Sequence, residues 1–237
     1  MIALDGPSGT GKSTVSQALA VHLAAAYLDT GAMYRAATLA VLRAGLDPAT
    51  SAAAALAAEA EIELGTDPEA PAVLLAGADV ALEIRGEAVT GAVSAVSAHA
   101  VVRERLVAHQ RRIIDAELAG PDGIGGIVVE GRDIGTVVVP EAGLKIYLIA
   151  SEEIRAARRD DQNRAAGRGG DLAGTLLAVQ RRDSLDSGRK LSPLRAAPDA
   201  VTVDTSDLDV AAVQTRVLAL AANRGLLRAA DHAEHQR

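Results

Sequence analysis

Eight residues near the start of the chain, Gly6-Pro7-Ser8-Gly9-Thr10-Gly11-Lys12-Ser13, constrain its fold more than any other stretch. A glycine, four residues and then Gly-Lys-Ser is the spacing that turns consecutive backbone N–H groups inward around phosphate oxygens. Lys12 adds a point charge for the β- and γ-phosphates, and the Ser13 hydroxyl, followed by Thr14, is a ligand for Mg2+. Lysine occurs only at positions 12, 145 and 190, so chance occurrence of the pattern is rare. Ile2-Ala3-Leu4-Asp5 reads as a buried strand entering the loop, and Ser13 to Ala26 as a helix with Val15, Leu19 and Leu23 on one face. Strand, loop and helix together predict a protein that binds the phosphates of a nucleoside triphosphate.

The rest of the chain extends the same architecture. Ile127-Val128-Val129 and Leu144-Lys145-Ile146-Tyr147-Leu148-Ile149 are continuous apolar runs of the kind buried on both faces of a parallel sheet. Strands alternating with helices predict an α/β fold, a central parallel sheet flanked by helices, with its ligand crevice at the carboxyl ends of the strands. Between Glu61 and Gly91 the pattern changes to short pieces, Ile62-Glu63-Leu64, Val73-Leu74-Leu75 and Val80-Ala81-Leu82-Glu83-Ile84, separated by Gly, Pro and Asp. These predict a small antiparallel insertion within one 237-residue domain. The alanine clusters at 51–60 and 218–222 are ordinary helix formers, and the tail from Ala229 to Arg237 reads as frayed.

Composition excludes several functions. A formal charge of −7 opposes broad binding to nucleic-acid polymers. Phe and Trp are absent and only Tyr27, Tyr34 and Tyr147 are aromatic, so a bound base has to be held by arginine planes, aliphatic surface and hydrogen bonds. Without cysteine there is no disulfide and no thiolate metal site. No apolar run reaches the roughly 18 to 20 residues that span a bilayer, and no leader-like segment opens the chain. The expectation is a soluble, cytoplasmic monomer with no membrane partner. A GTPase would carry an Asn-Lys-x-Asp stretch and a mechanical ATPase a hydrophobic strand ending in Asp-Glu; both are missing, which leaves a small-molecule kinase.

Two further stretches narrow the family: Leu28-Asp29-Thr30-Gly31-Ala32-Met33-Tyr34-Arg35 and Val129-Glu130-Gly131-Arg132-Asp133-Ile134-Gly135-Thr136-Val137-Val138. With the phosphate loop they closely resemble the bacterial cytidylate kinases. The likeness runs on through Val102-Arg103-Glu104, Arg182-Asp183, Asp186, Arg189, Pro193-Leu194 and Asp204-Thr205, nearly the whole chain. The resemblance implies transfer of the γ-phosphoryl group of ATP to CMP or dCMP with Mg2+. It also implies a monophosphate-binding region over about residues 30–105, which contains the insertion at 61–91, and a helical lid over about 151–174. Arg35 and Arg132 match family positions that grip the acceptor phosphate. Thr30, Arg103, Asp133 and Arg189 match positions around the pyrimidine, and Ser94, Arg182 and Asp186 those near the sugar. Family members often carry Ser where Thr30 stands, which keeps the hydroxyl and adds a methyl group here.

Each of these residues also has a bland reading. Arg35 and Arg103 can be solvated helix charges, and Arg132 with Asp133 a structural ion pair. Glu130 either binds Mg2+ through water or satisfies backbone donors. In the lid, Arg155, Arg158 and Arg159 share one helical face at i, i+3 and i+4 after a Ser151 cap, and the Gly-rich stretch after Asn163 provides a hinge. Related kinases close such a segment over ATP. Lys12, Arg132, Arg158 and Arg159 are therefore the expected catalytic residues. Two alternatives stay open: a UMP-preferring monophosphate kinase, and an ATP sensor without turnover.

Lys12→Met should nearly abolish phosphoryl transfer while leaving the fold intact, because it removes a charge aimed at the β/γ-phosphates and nothing from the core. Steady-state ADP release within about threefold of wild type would refute the role of the loop.

Overall fold

A computed structural model of the chain describes residues 1–120, 126–165, 167, 170–189 and 191–226. Five strands form the central sheet: β1 (Ile2–Asp5), β2 (Ala26–Asp29), β6 (Ile127–Gly131), β7 (Leu144–Ile149) and β8 (Val201–Asp204), all parallel, in the order β2-β6-β1-β7-β8. The inner strands are buried on both faces, as their unbroken apolar sequences require. Helices α1 (Lys12–His22) and α8 (Val210–Asn223) bury Val15, Leu19, Val213 and Val217 against one face of the sheet. On the other face α5 (Ala100–Leu118) buries Ile114 against Leu28, Ile127 and Val129.

Register brings the site-bearing residues level. Asp5 stands beside Gly131 and Tyr147, and Asp29 beside Glu130. The phosphate loop, the start of α2 (Thr30–Arg43) and the turn carrying Arg132 and Asp133 therefore leave the sheet at one edge. A π-helical turn at Ile134–Val138 follows Asp133, and the Asp5 carboxylate accepts from the N–H groups of Ile134 and Gly135, both at 2.8 Å. The clamp fixes the Arg132 turn to the strand that feeds the loop.

The second layer is a separate core. Helices α2, α3 (Ser51–Glu59) and α4 (Glu87–Val96) enclose Ala36, Val41, Ala57, Ile62, Leu75, Ile84 and Val93 with the small antiparallel sheet β3 (Ile62–Leu64), β4 (Val73–Leu75) and β5 (Ala78–Asp79). Asp29 and Thr50 cap α2 and α3, accepting from Ala32 and Ala53 at 3.0 and 3.2 Å. Two helices complete the fold: α6 (Glu152–Ala165) and α7 (Leu172–Ser187), the second capped by Asp171. The Ser151 hydroxyl accepts from Ile154 N–H at 3.3 Å. No helix among the described residues is long and apolar enough to cross a membrane.

Two expected elements differ. The helix after the loop stops at His22 rather than running to Ala26, because Ala24 turns left-handed (φ 46°) and the chain re-enters the sheet as β2. That stop is usually made by glycine, so an alanine there gives no warning. The third strand covers Ala78–Asp79 and not Val80 to Ile84. Val80 and Ile84 are both buried while Leu82 is 90% exposed, and Ile84 N–H donates to the Val80 carbonyl at 3.0 Å. A spacing of four suits a strand and a helical turn equally; here the turn wins and α4 follows at Glu87. The expected frayed tail from Ala229 to Arg237 and positions 166, 168 and 169 of the Gly-rich stretch lie outside the described residues.

Burial raises the Asp5 carboxyl to about 6, against the pull of its two backbone donors. Because the folded value exceeds the unfolded one, its protonated form stabilises the fold at low pH. That contribution is lost as pH rises through about 6. Stability measured relative to Asp5→Asn, which cannot titrate, should therefore fall by about 2 kcal/mol between pH 4.5 and 7.5 in chemical denaturation. A flat difference would show that the two N–H bonds offset burial.

Candidate functional site

The loop between β1 and α1 is braced on several sides. Gly6 (φ 145°) lies so close to β7 that a Cβ would sit 2.1 Å from the Leu148 carbonyl oxygen, and Gly11 (φ 87°) starts α1 in a left-handed conformation. Thr10 donates to the Pro7 carbonyl at 3.1 Å, and Thr205, just after β8, donates to the Thr10 carbonyl at 3.2 Å. Lys12 Nζ donates to the Pro7 carbonyl at 2.7 Å. Burial, then the charge of Arg132, push the Lys12 ammonium down. The negative charge of an arriving polyphosphate would oppose both.

Beside the loop a cleft of about 530 Å3 opens between the sheet edge, α2, α4 and α7. Ser8, Gly9, Gly11, Lys12, Ser13 and Thr14 line it; Gly6, Pro7 and Thr10 shape the loop from behind. Every residue singled out for the acceptor lines the same cavity: Thr30, Arg35, Ser94, Arg103, Arg132, Asp133, Arg182, Asp186 and Arg189. Charge within it is sorted.

Near the loop the Tyr27 hydroxyl donates to the buried Glu130 carboxyl, which burial, then Asp29, push up. The Ser13 hydroxyl is near enough to pull both groups down. These oxygens form the acidic corner of the site. At the far end Arg103 and Asp133 make an ion pair, both 5% exposed, with the guanidinium over the Tyr34 ring at 5.4 Å. Thr30 donates its hydroxyl proton to the Glu130 carbonyl at 2.7 Å, so toward a ligand it can act only as an acceptor.

Between the two ends, α7 supplies a carboxylate hub. Asp186 accepts from Arg189, is approached by Arg132 at 3.3 Å and Arg182 at 3.9 Å, and takes a 3.3 Å hydrogen bond from Ser94. Asp183 pairs with Arg155 and stands 4.0 Å from Arg132. Burial, then Arg132 and Arg35, drive the Arg182 guanidinium well below its usual value. Arg35 donates to the Ile84 carbonyl and the Thr90 hydroxyl, both at 3.0 Å; burial, then Arg159, pull it down to about 10, still charged at neutral pH.

Arg155, Arg158 and Arg159 of α6 diverge. Arg155 is buried and donates to the Ser8 carbonyl at 3.2 Å, while Arg159 lines the cleft and reaches Thr90. Arg158 bonds the carbonyls of Thr205 and Leu208 at 2.6 and 3.3 Å and is not part of the cleft lining. Sequence reading gave no role to Asp183, Thr90, Ser97 or Arg85. Asp183 had a signal, since it lies three residues before Asp186 on one helix. Thr90 had none. No group of three or more His, Cys, Asp or Glu side chains among the described residues forms a self-contained metal site.

Residues 2–223 match the family model described as cytidylate kinase. A cytidylate kinase of Rhodococcus opacus (strain B4) is 58% identical over 94% of this chain and 95% of its own length. That of Mycobacterium avium (strain 104) is 55% identical over 90% of this chain and 91% of its own.

Arg103→Met leaves the Asp133 charge buried without its partner and should cost about 3 to 5 kcal/mol of stability in urea denaturation. Pairing it with Asp133→Asn should recover much of the loss. A single-variant cost below about 1 kcal/mol would mean that the carboxylate finds another partner or water.

Proposed function

The chain belongs to the cytidylate kinase family, and on that premise we propose that its cleft transfers the γ-phosphoryl group of ATP to CMP or dCMP, giving ADP and CDP or dCDP. The observation that carries this reading is the single cavity in which the phosphate loop faces Arg35, Arg132 and Arg182 with the Arg103–Asp133 pair behind them. A donor phosphate and an acceptor phosphate both fit that distribution of charge. A nucleotide sensor would need only the loop.

The acceptor is itself a phosphate whose second pKa is near 6, so it is ionised at neutral pH and needs no general base. The work left to the protein is to bring two anions into line and to stabilise the charge that develops between them. Lys12 and the loop N–H groups hold the donor. Arg35 and Arg132 hold the acceptor phosphate. The Asp186 carboxylate positions Arg132, Arg182 and Arg189 before the nucleotide arrives, and with Ser94 and Arg182 it forms the sugar subsite. Arg159, which lines the cleft, is the lid arginine assigned to the transferring group; Arg158 instead secures α6 to the chain after β8. The lid over about residues 151–174, which begins with α6, excludes water from the reaction when it closes.

The acidic corner suits a hard divalent cation, because Ser13 and Glu130 present only oxygen donors beside the loop. Ser13 would hold Mg2+ directly and Glu130 through water, with the nucleotide phosphates completing the shell. Bound there, the ion would neutralise charge on the β- and γ-phosphates.

The base is read at the other end. One oxygen of Asp133 is engaged by Arg103, and the other is available to accept from the exocyclic amino group of cytosine. Uracil presents an acceptor oxygen there, which the same carboxylate repels. Thr30 as acceptor and Arg189 complete the pyrimidine pocket.

Asp133→Asn should therefore lower kcat/KM for CMP far more than for UMP, shrinking the preference by about 10-fold at saturating MgATP. An unchanged CMP:UMP ratio with both substrates impaired equally would assign Asp133 to holding Arg103 alone. Failure of the wild type to release ADP with any of CMP, dCMP or UMP would overturn the proposed activity.

A further inference from the structure

Where the insertion meets the last helical pair, one hydroxyl is shared by two cations. Thr90, on α4, accepts from Arg35 Nη1 of α2 at 3.0 Å and from Arg159 Nη2 of α6 at 3.4 Å. A hydroxyl oxygen has two lone pairs, so it can serve both donors at once. Arg35 is further anchored on the Ile84 carbonyl at 3.0 Å, whereas Arg159 also makes a long 3.4 Å contact with Gln162 on its own helix. The two guanidiniums repel: after burial, the charge of Arg159 is the largest influence that pulls Arg35 down.

The chemical type of the shared acceptor matters. Elsewhere in the cleft arginines are held by carboxylates, Asp183 and Asp186, which orient them and also cancel part of their charge. Thr90 orients without cancelling. The hydroxyl itself takes nothing from the field of the pair, although Asp29 offsets part of the charge on Arg35, and a phosphate arriving between the two guanidiniums relieves their repulsion. Because one donor comes from the layer that holds the acceptor and the other from α6, the shared oxygen also registers the approach of the two layers.

We infer that Thr90 is a positioning residue for phosphoryl transfer, a neutral bridge that sets Arg35 toward the acceptor phosphate and draws Arg159 over the transferring group. This deepens the reading of the cleft as the CMP phosphorylation site and rests on it.

The test compares Thr90→Val, which keeps the branched shape and removes the acceptor, with Thr90→Ser, which keeps the hydroxyl. Thr90→Val should lower kcat/KM for CMP about 10-fold, through both a higher KM for CMP and a lower kcat, with the KM for MgATP within about twofold of wild type. The loss should be equal for CMP, dCMP and UMP, since a phosphate contact carries no base information. Thr90→Ser should stay within about twofold of wild type. In an Arg159→Met background, Thr90→Val should still raise the KM for CMP through Arg35 but lower kcat no further.

Three results overturn the inference: Thr90→Val kinetics within twofold of wild type, Thr90→Ser as impaired as Thr90→Val, or a kcat loss that adds fully to that of Arg159→Met. A wild type inert toward CMP in the same assay would instead sink the proposed activity.

Discussion

Like-charge repulsion is the constraint on which this site is built. Lys12, Arg35, Arg103, Arg132, Arg159, Arg182 and Arg189 converge on one cleft in a protein whose overall charge is −7. Without bound phosphate such a group would push itself apart or unfold the elements that carry it. The fold answers with buried carboxylates at fixed places: Asp186 and Asp183 one turn apart on α7, Asp133 at the end of β6, and Glu130 inside the sheet edge. Each pairs with or faces a cation. These carboxylates offset only part of the charge of the seven cations, and the positive excess is left for the phosphates of the nucleotide.

That arrangement explains why the residues that share the cleft could be picked from the sequence while their pairings could not. The phosphate loop, Arg35 after the Gly-Ala-Met-Tyr run and the Arg132-Asp133 pair follow strand ends, and parallel register alone brings strand ends to one edge. Arg182, Asp186 and Arg189 sit on α7 or just past its end, with no local pattern beyond helical spacing, and were found through family likeness. Wiring depends on tertiary distances. Asp133 was expected to stand as a base reader or beside Arg132, and its partner proved to be Arg103, which lies 30 residues earlier on α5. Arg155, Arg158 and Arg159 read as one basic face, yet they separate because the helix is seated between the phosphate loop and the chain after β8, each of which takes one of them.

The fold departures have the same origin. Alanine at position 24 takes a backbone conformation normally given to glycine, so composition could not end α1. Val80 and Ile84 satisfy two periodicities, and only the buried core under α2 and α4 decides between them. Local preference was ambiguous at both points, and tertiary packing chose.

The scarcity of aromatic residues gives this site an optical property of its own. With no tryptophan or phenylalanine, the near-ultraviolet signal of the protein comes from three tyrosines. Tyr27 is hydrogen-bonded to Glu130 beside the phosphate loop, and Tyr34 lies under Arg103 at the far end of the cleft. Two of the three chromophores therefore sit at opposite ends of the cleft, so the protein's intrinsic emission and near-ultraviolet circular dichroism come largely from the candidate site.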